Sequence, residues 1–217
     1  VANSPQIGLA GEENARAVLG TVPVEPDGSA HFHIPAGKLL LFQALDKDGF
    51  AYQTMRSVTY VQPGEHTSCV GCHEPKMTAP VRPYEHLLAL RRSPSEIDPG
   101  SWGGRPFGYT EVVQPVLDQH CVRCHGGEKT EAELALTGDP VGPFNRSYVS
   151  LMTRKDLVPR FAQRNQVQMT PPGGEVGALG SRLMKLLRSG HEDVELSDEE
   201  LRRLALWIDL NAIFYGV

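Results

Sequence analysis

The sequence is short of cysteine, of aromatic residues and of long apolar runs, and each shortage narrows what the chain can be. Its 217 residues include 4 cysteines, and all of them fall in two short stretches, so none is left over for a structural disulfide. The fold must then be held by its core and by whatever those cysteines bind. The densest apolar run, Leu39 to Phe42, is far too short for a membrane span and reads as a buried strand. Basic residues form no stripe and the net charge is −5, which argues against a nucleic-acid partner. The hydrophobic share of 40% and charged share of 22% describe an ordinary globular chain, with length for one large domain or two small ones. Val1 opens the sequence without a Met, a basic n-region or an apolar h-region, so a signal peptide or a longer N-terminal region is expected to have been removed.

What is present is a pair of Cys-x-x-Cys-His stretches, Cys69–His73 and Cys121–His125. This is the attachment signature of a c-type haem. Two thiols add to the two vinyl groups of one haem and must sit about one helical turn apart, while the adjacent His presents its imidazole to the iron. The competing reading is a pair of zinc knuckles. Zinc would draw the four thiolates together and gives no reason for a His after each pair. Cys69, Cys72 and His73 are therefore expected to hold one haem, and Cys121, Cys124 and His125 a second. Covalent haem attachment is made outside the cytoplasmic membrane, so the expected location is periplasmic or extracellular.

Along the chain, residues 11–20 allow a short helix. From Val22 the character becomes β: a Pro26-Asp27-Gly28 turn, a strand over 38–45, a turn over 46–49 and a strand over 50–61 suggest an antiparallel meander that ends just before the first motif. Residues 75–108 are rich in Pro, Arg, Ser and Gly and read as an extended connection with one helical turn over 84–90, running over the first haem with Trp102 or Phe107 as its shield. From Tyr109 the pattern is helical. Val112, Val113, Val116, Leu117 and His120 recur at helical spacing, with Pro115 tolerable only near a helix start or a kink. Further helices are predicted within 147–157, over 181–190 with Leu183, Leu186 and Leu187 on one face and Gly190 as its stop, and after a Ser197/Glu200 capping box. The expected fold is α+β: a β-rich haem-bearing domain over 1–80, a linker over 81–108, and a mostly helical class I cytochrome c-like domain over 109–217.

Each iron needs a sixth ligand or an open position. For the second haem the candidates are His191, at a predicted helix end, and Met169, in a Gly/Pro-rich loop. A helix end aims a side chain better than a loop, which favours His191. For the first haem nothing stands out: Met77 lies close behind the motif, and His66, His86 and His120 are further donors. His31 and His33 share a strand face, which alone is a weak metal signal.

Three runs, Gly20–Pro75, Arg105–Gly127 and Gly177–Gly216, resemble the hydrazine synthase alpha subunit family and its multidomain relatives. The resemblance implies two c-type haems, one on a β-rich middle domain and one on a cytochrome c-like domain, in a region that usually follows a β-propeller not contained in this sequence. It also implies His191 as the distal ligand of the second haem. In hydrazine synthase the middle-domain haem is catalytic and a tyrosine stands four residues past its motif His; here that position is Met77, a departure that bears on the activity. Two functions follow as expectations: a dihaem cytochrome passing single electrons between redox partner proteins, or a haem enzyme of hydrazine synthase type with a small nitrogen or oxygen species at an open first haem.

Overall fold

The computed structural model describes residues 6–10, 14–55, 58–71, 86–101, 103–127, 130–160, 162–163, 166–167 and 176–216. The chain forms two compact units, one of residues 1–16, 43–53 and 106–217, the other of residues 17–42 and 54–105. The architecture is mixed, with helices and small two-stranded sheets.

The larger unit contains a hairpin, β1 (Gln43–Leu45) and β2 (Ala51–Thr54), followed by α1 (Tyr109–Val112), α2 (Gln114–His120) and α3 (Val122–His125). Two short antiparallel pairs follow: β3 (Pro140–Val141) with β4 (Phe144–Asn145), and β5 (Ala162–Gln163) with β6 (Gln166–Val167). The remaining helices are α4 (Arg146–Thr153), α5 (Gly177–Gly180), α6 (Arg182–Ser189) and α7 (Asp198–Asp209). Local signals explain where these helices start and stop. Pro115 lies in the first turn of α2, where its missing N–H costs nothing, and the helical run breaks at Val113 to accommodate it. Ser181 caps α6 by accepting from Met184 N, and Gly190 follows its last residue at φ 97°. Ser197 and Glu200 form the reciprocal capping box at the start of α7.

The core of this unit is aromatic. Tyr109, Tyr148, Trp207 and Phe214 are buried and meet with ring centroids 4.9–5.5 Å apart for the Tyr109–Tyr148, Tyr109–Trp207, Tyr109–Phe214 and Tyr148–Phe214 pairs. Their polar atoms are satisfied inside: Trp207 Nε1 donates to Ile213 O at 2.9 Å, and Tyr148 Oη donates to Ala212 O at 2.8 Å. Val113, Leu117, Leu151, Leu204 and Ile208 complete the packing.

In the smaller unit the strand character is thinner than alternation suggested. Isolated bridges pair Thr21 with Asp98, Phe32 with Ser95, and Leu40 with Thr59. The 86–98 stretch returns along 21–33 and is fastened by side chains. Asp27 accepts from Ser29 N and Leu88 N, and Arg92 Nε donates to Glu25 at 2.7 Å while its Nη1 reaches Ser95 Oγ at 2.7 Å. Gly20 sits at the start of this pairing at φ +135°, and a Cβ there would lie 2.0 Å from Asp98 O. Gly20→Ala is expected to destabilise this unit by about 2 kcal/mol or more, because both the backbone angle and the Thr21–Asp98 bridge must change. Urea unfolding of the two proteins checks it; an unchanged midpoint would refute the close approach.

Several local expectations are corrected. Of the helix anticipated over 11–20, residues 14–20 are not helical, and 11–13 lie outside the described residues. The strands over 38–45 and 50–61 are regular only over Gln43–Leu45 and Ala51–Thr54, among the described residues. Of the helical turn expected over 84–90, the described part is a 3-10 turn at Leu88–Arg91, and residues 84–85 lie outside the described residues. On α6 the buried residue is Met184, whereas Leu186 is 38% exposed. The helix packs its Met184 edge inward, because Ser181 is itself buried and donates to Leu157 O, which sets the rotation of the first turn. Phe107 is buried in the larger unit, with its N–H on Arg16 O at 2.8 Å, and Trp102 lies outside the described residues.

Candidate functional site

The second Cys-x-x-Cys-His stretch is built as one tight turn at the end of α2. Cys121 N donates to Leu117 O at 2.8 Å, and His125 N donates to Cys121 O at 3.0 Å, so the stretch continues the helical path through α3. Cys124 is exposed and Cys121 half-buried. Burial, with a smaller contribution from neighbouring Cys124, pushes the Cys121 thiol up to about 11. Among the described residues no three His, Cys, Asp or Glu side chains group as a metal cluster.

His125 is oriented by its neighbours. Its Nδ1 lies 3.0 Å from Leu134 O, and Leu136 N donates to His125 O at 2.8 Å. A carbonyl can only accept, so Nδ1 carries the proton and Nε2 has the ligand role. The residue facing it is His191. The two rings lie 6.3 Å apart between centroids and 25° from parallel. Two metal–nitrogen bonds of about 2 Å, with about 1 Å from each nitrogen to its ring centre, span about 6 Å, so the spacing suits one metal ion between the imidazoles. His191 is held by the end of α6, by the Gly190 turn, and by its own tight turn in which Val194 N donates to His191 O at 3.0 Å.

Just before the motif, His120 Nε2 meets Glu200 Oε1 at 2.9 Å, joining the end of α2 to the first turn of α7. The Ser197 hydroxyl, then the Ser197 N–H, then His120 hold the Glu200 carboxyl down at about 2. His120 is thus engaged in a structural pair. In the smaller unit, His33 Nδ1 pairs with Glu96 at 2.6 Å on the surface. Of the expected ligands Cys69, Cys72 and His73 only Cys69 is described, and it is exposed; Cys72, His73 and Met77 lie outside the described residues, as does Met169. The structure thus brings His125 and His191 together. The part missed in the sequence is the Leu134–Leu136 segment, which acts through backbone atoms and leaves no side-chain signal. Gln114 is legible in retrospect, as a polar residue among buried apolar positions 112, 113, 116 and 117.

Residues 4–74 match the family described as the hydrazine synthase alpha subunit middle domain. This part of the chain resembles that middle domain. The matched segment includes the whole first motif, through His73. Among solved structures, hydrazine synthase of Kuenenia stuttgartiensis is similar, with a TM-score of 0.66 and 19% identity over 94% of this chain. The shared fold therefore extends past the matched segment into the region that carries His125 and His191. The chain spans 34%, about a third, of that hydrazine synthase chain. No match was found among curated proteins. No helix among the described residues is long and apolar enough to cross a membrane.

Proposed function

We propose that the chain is a dihaem c-type cytochrome module that passes single electrons between redox partner proteins. The observation that carries this reading is the facing pair of His125 and His191 at 6.3 Å, with His125 Nδ1 committed to Leu134 O. Cys121 and Cys124 would anchor the second haem covalently, and His125 and His191 would ligate its iron. Bound there, haem would supply one-electron chemistry. The Leu134 carbonyl keeps the His125 ring from turning and strengthens it as a donor. Cys69, Cys72 and His73 hold the first haem by the same motif logic. Haem attachment of this kind places the protein outside the cytoplasm.

A second reading has its own support. The hydrazine synthase alpha-like match covers the first motif, and the similar solved structure is titled a hydrazine synthase. The first haem is then a reaction site for a small nitrogen or oxygen species, with the second haem exchanging electrons with it. The Met77 position bears on which of the two holds.

The test is a pyridine haemochrome assay followed by electronic and EPR spectra of the purified protein. Two haems per chain, both low-spin and inert to CO and NO, are the result expected for the electron carrier. A high-spin iron that binds CO supports the enzyme. A chain that acquires no covalent haem overturns both.

A further inference from the structure

Behind the Leu134–Leu136 segment lies a buried polar network centred on Gln114. Gln114 Nε2 donates to Leu136 O at 3.2 Å and to Asp118 Oδ1 at 2.7 Å, and its Oε1 accepts from Asn145 Nδ2 at 2.9 Å and from Ser147 Oγ. Gln114, Asn145 and Ser147 are all buried. The orientation of the amides is determined rather than free. Leu136 O can only accept, so Nε2 must face it, and Asn145 Oδ1 accepts from Tyr148 N, so its Nδ2 must face Gln114. The Ser147 hydroxyl donates toward Gln114 Oε1, with Asn145 Oδ1 a second acceptor at 3.1 Å; both can only accept, so Tyr109 Oη donates to Ser147 Oγ at 2.8 Å. The Gln114 carboxamide has both donors and both acceptor sites used.

The network reaches the candidate ligand through one short segment. Leu134 O takes the His125 Nδ1 proton, Leu136 N holds His125 O, and Leu136 O is held by Gln114. The carbonyl that sets the strength of the imidazole is therefore fixed on a rigid, fully satisfied buried anchor. We infer that Gln114 is a positioning residue for the second haem: by holding the Leu134–Leu136 segment it strengthens the His125 Nδ1–H bond and lowers the reduction potential of that iron. A stronger bond at Nδ1 gives the imidazole more anionic character and favours the oxidised metal, so loosening the segment favours the reduced one. This rests on the haem reading of His125 given above.

The experiment is a redox titration of the haem-loaded protein and of Gln114→Met, which keeps the volume but loses both donors. The variant is expected to shift the second haem three- to tenfold toward the reduced state, the upper end being about 59 mV for one electron. Ser147→Ala, which removes a buried hydroxyl from the same network without touching Leu136 O, is expected to lower thermal stability and shift the potential by less than a third as much. Should Gln114→Met not fold, Gln114→Asn keeps a carboxamide but is one methylene short, and the same upward shift is expected. A potential unchanged in the Gln114 variant that folds, or moved equally by Ser147→Ala, overturns the positioning role while leaving the haem intact. A chain with no haem at Cys121 and Cys124 instead overturns the functional reading, and this inference with it.

Discussion

Replacing His191 with Ala is expected to convert the second haem from low-spin to high-spin and to let it bind CO, with the covalent attachment unaffected. The reasoning is geometric. His191 is the imidazole that faces His125 at 6.3 Å, and it sits on a turn held by the end of α6 and by the Val194 N–H to His191 O bond. Removing the ring leaves an open axial position on an otherwise assembled site. Added imidazole is expected to restore the low-spin spectrum, because the pocket left by the side chain fits the free base. Met169→Leu serves as the comparison and is expected to leave the spectrum as it was. If His191→Ala stays low-spin while Met169→Leu changes, the ligand is Met169 and the His125–His191 pairing has no functional meaning.

The second large effect concerns Asp209, a buried carboxylate at the last residue of α7. Its Oδ1 accepts from Ala178 N at 2.7 Å and its Oδ2 from Ala51 N at 2.9 Å, so it ties the β1–β2 hairpin to α5 and α7. Gly177 must be glycine for this: it has φ +68°, and a Cβ there would lie 2.5 Å from Asp209 Oδ1. Burial pushes the Asp209 carboxyl up to about 7 from 3.8, against the pull of the Ala178 and Ala51 N–H groups, with the charge of Asp46 adding to the rise. The position at a helix C-terminus disfavours a negative charge as well.

The sign follows from linkage. The folded value lies above the unfolded one, so the contribution to stability is fully present below about pH 4 and is lost as pH rises through about 7. The loss amounts to as much as about 4 kcal/mol, at about 1.4 kcal/mol per pKa unit. Asp209→Asn removes the charge, but its Nδ2 can only donate, so one of the two N–H groups loses its acceptor. It is expected to be less stable than the wild type near pH 4.5, with the gap narrowing toward pH 8. Asp209→Ala is expected to destabilise by about 3 kcal/mol near pH 4.5, since it leaves the Ala51 and Ala178 N–H groups without their acceptor, and the deficit is expected to shrink toward pH 8, where the wild type has lost its own contribution. Denaturant titrations of the three proteins across this range decide it; parallel pH profiles for the wild type and Asp209→Asn would sink the idea.

Much of the helical half was legible because its signals are local. A capping box, an N-cap serine and a stop glycine each act within one turn, so Ser197 with Glu200, and Ser181 with Gly190, could be read directly. Pro115 was legible for the same reason. The β-rich half was harder. Alternation over 50–61 suggested a long strand, but alternation reports only that two faces differ, not that a partner strand runs alongside. Between 21–33 and 86–98, side-chain bonds of Asp27 and Arg92 take the place of a continuous ladder. The grouping of residues 43–53 with 106–217 could not be read either. It depends on Gln43 Nε2 donating to Asp209 O and on Ala51 N donating to the Asp209 carboxylate, contacts between positions far apart in the chain.

The sequence by itself determined which residues are the candidate ligands. Four cysteines in two Cys-x-x-Cys-His stretches, with none to spare, limit what can be bound, because that spacing is a property of five consecutive residues on one helical turn. Only the tertiary structure decided what surrounds the second motif. It set His191 across from His125, gave the His125 Nδ1 proton to Leu134 O, and anchored Leu136 on Gln114. The physical reason is that each of these is a meeting of separate segments. Side-chain burial and backbone hydrogen bonds bring them together, and no periodicity along the chain encodes the meeting.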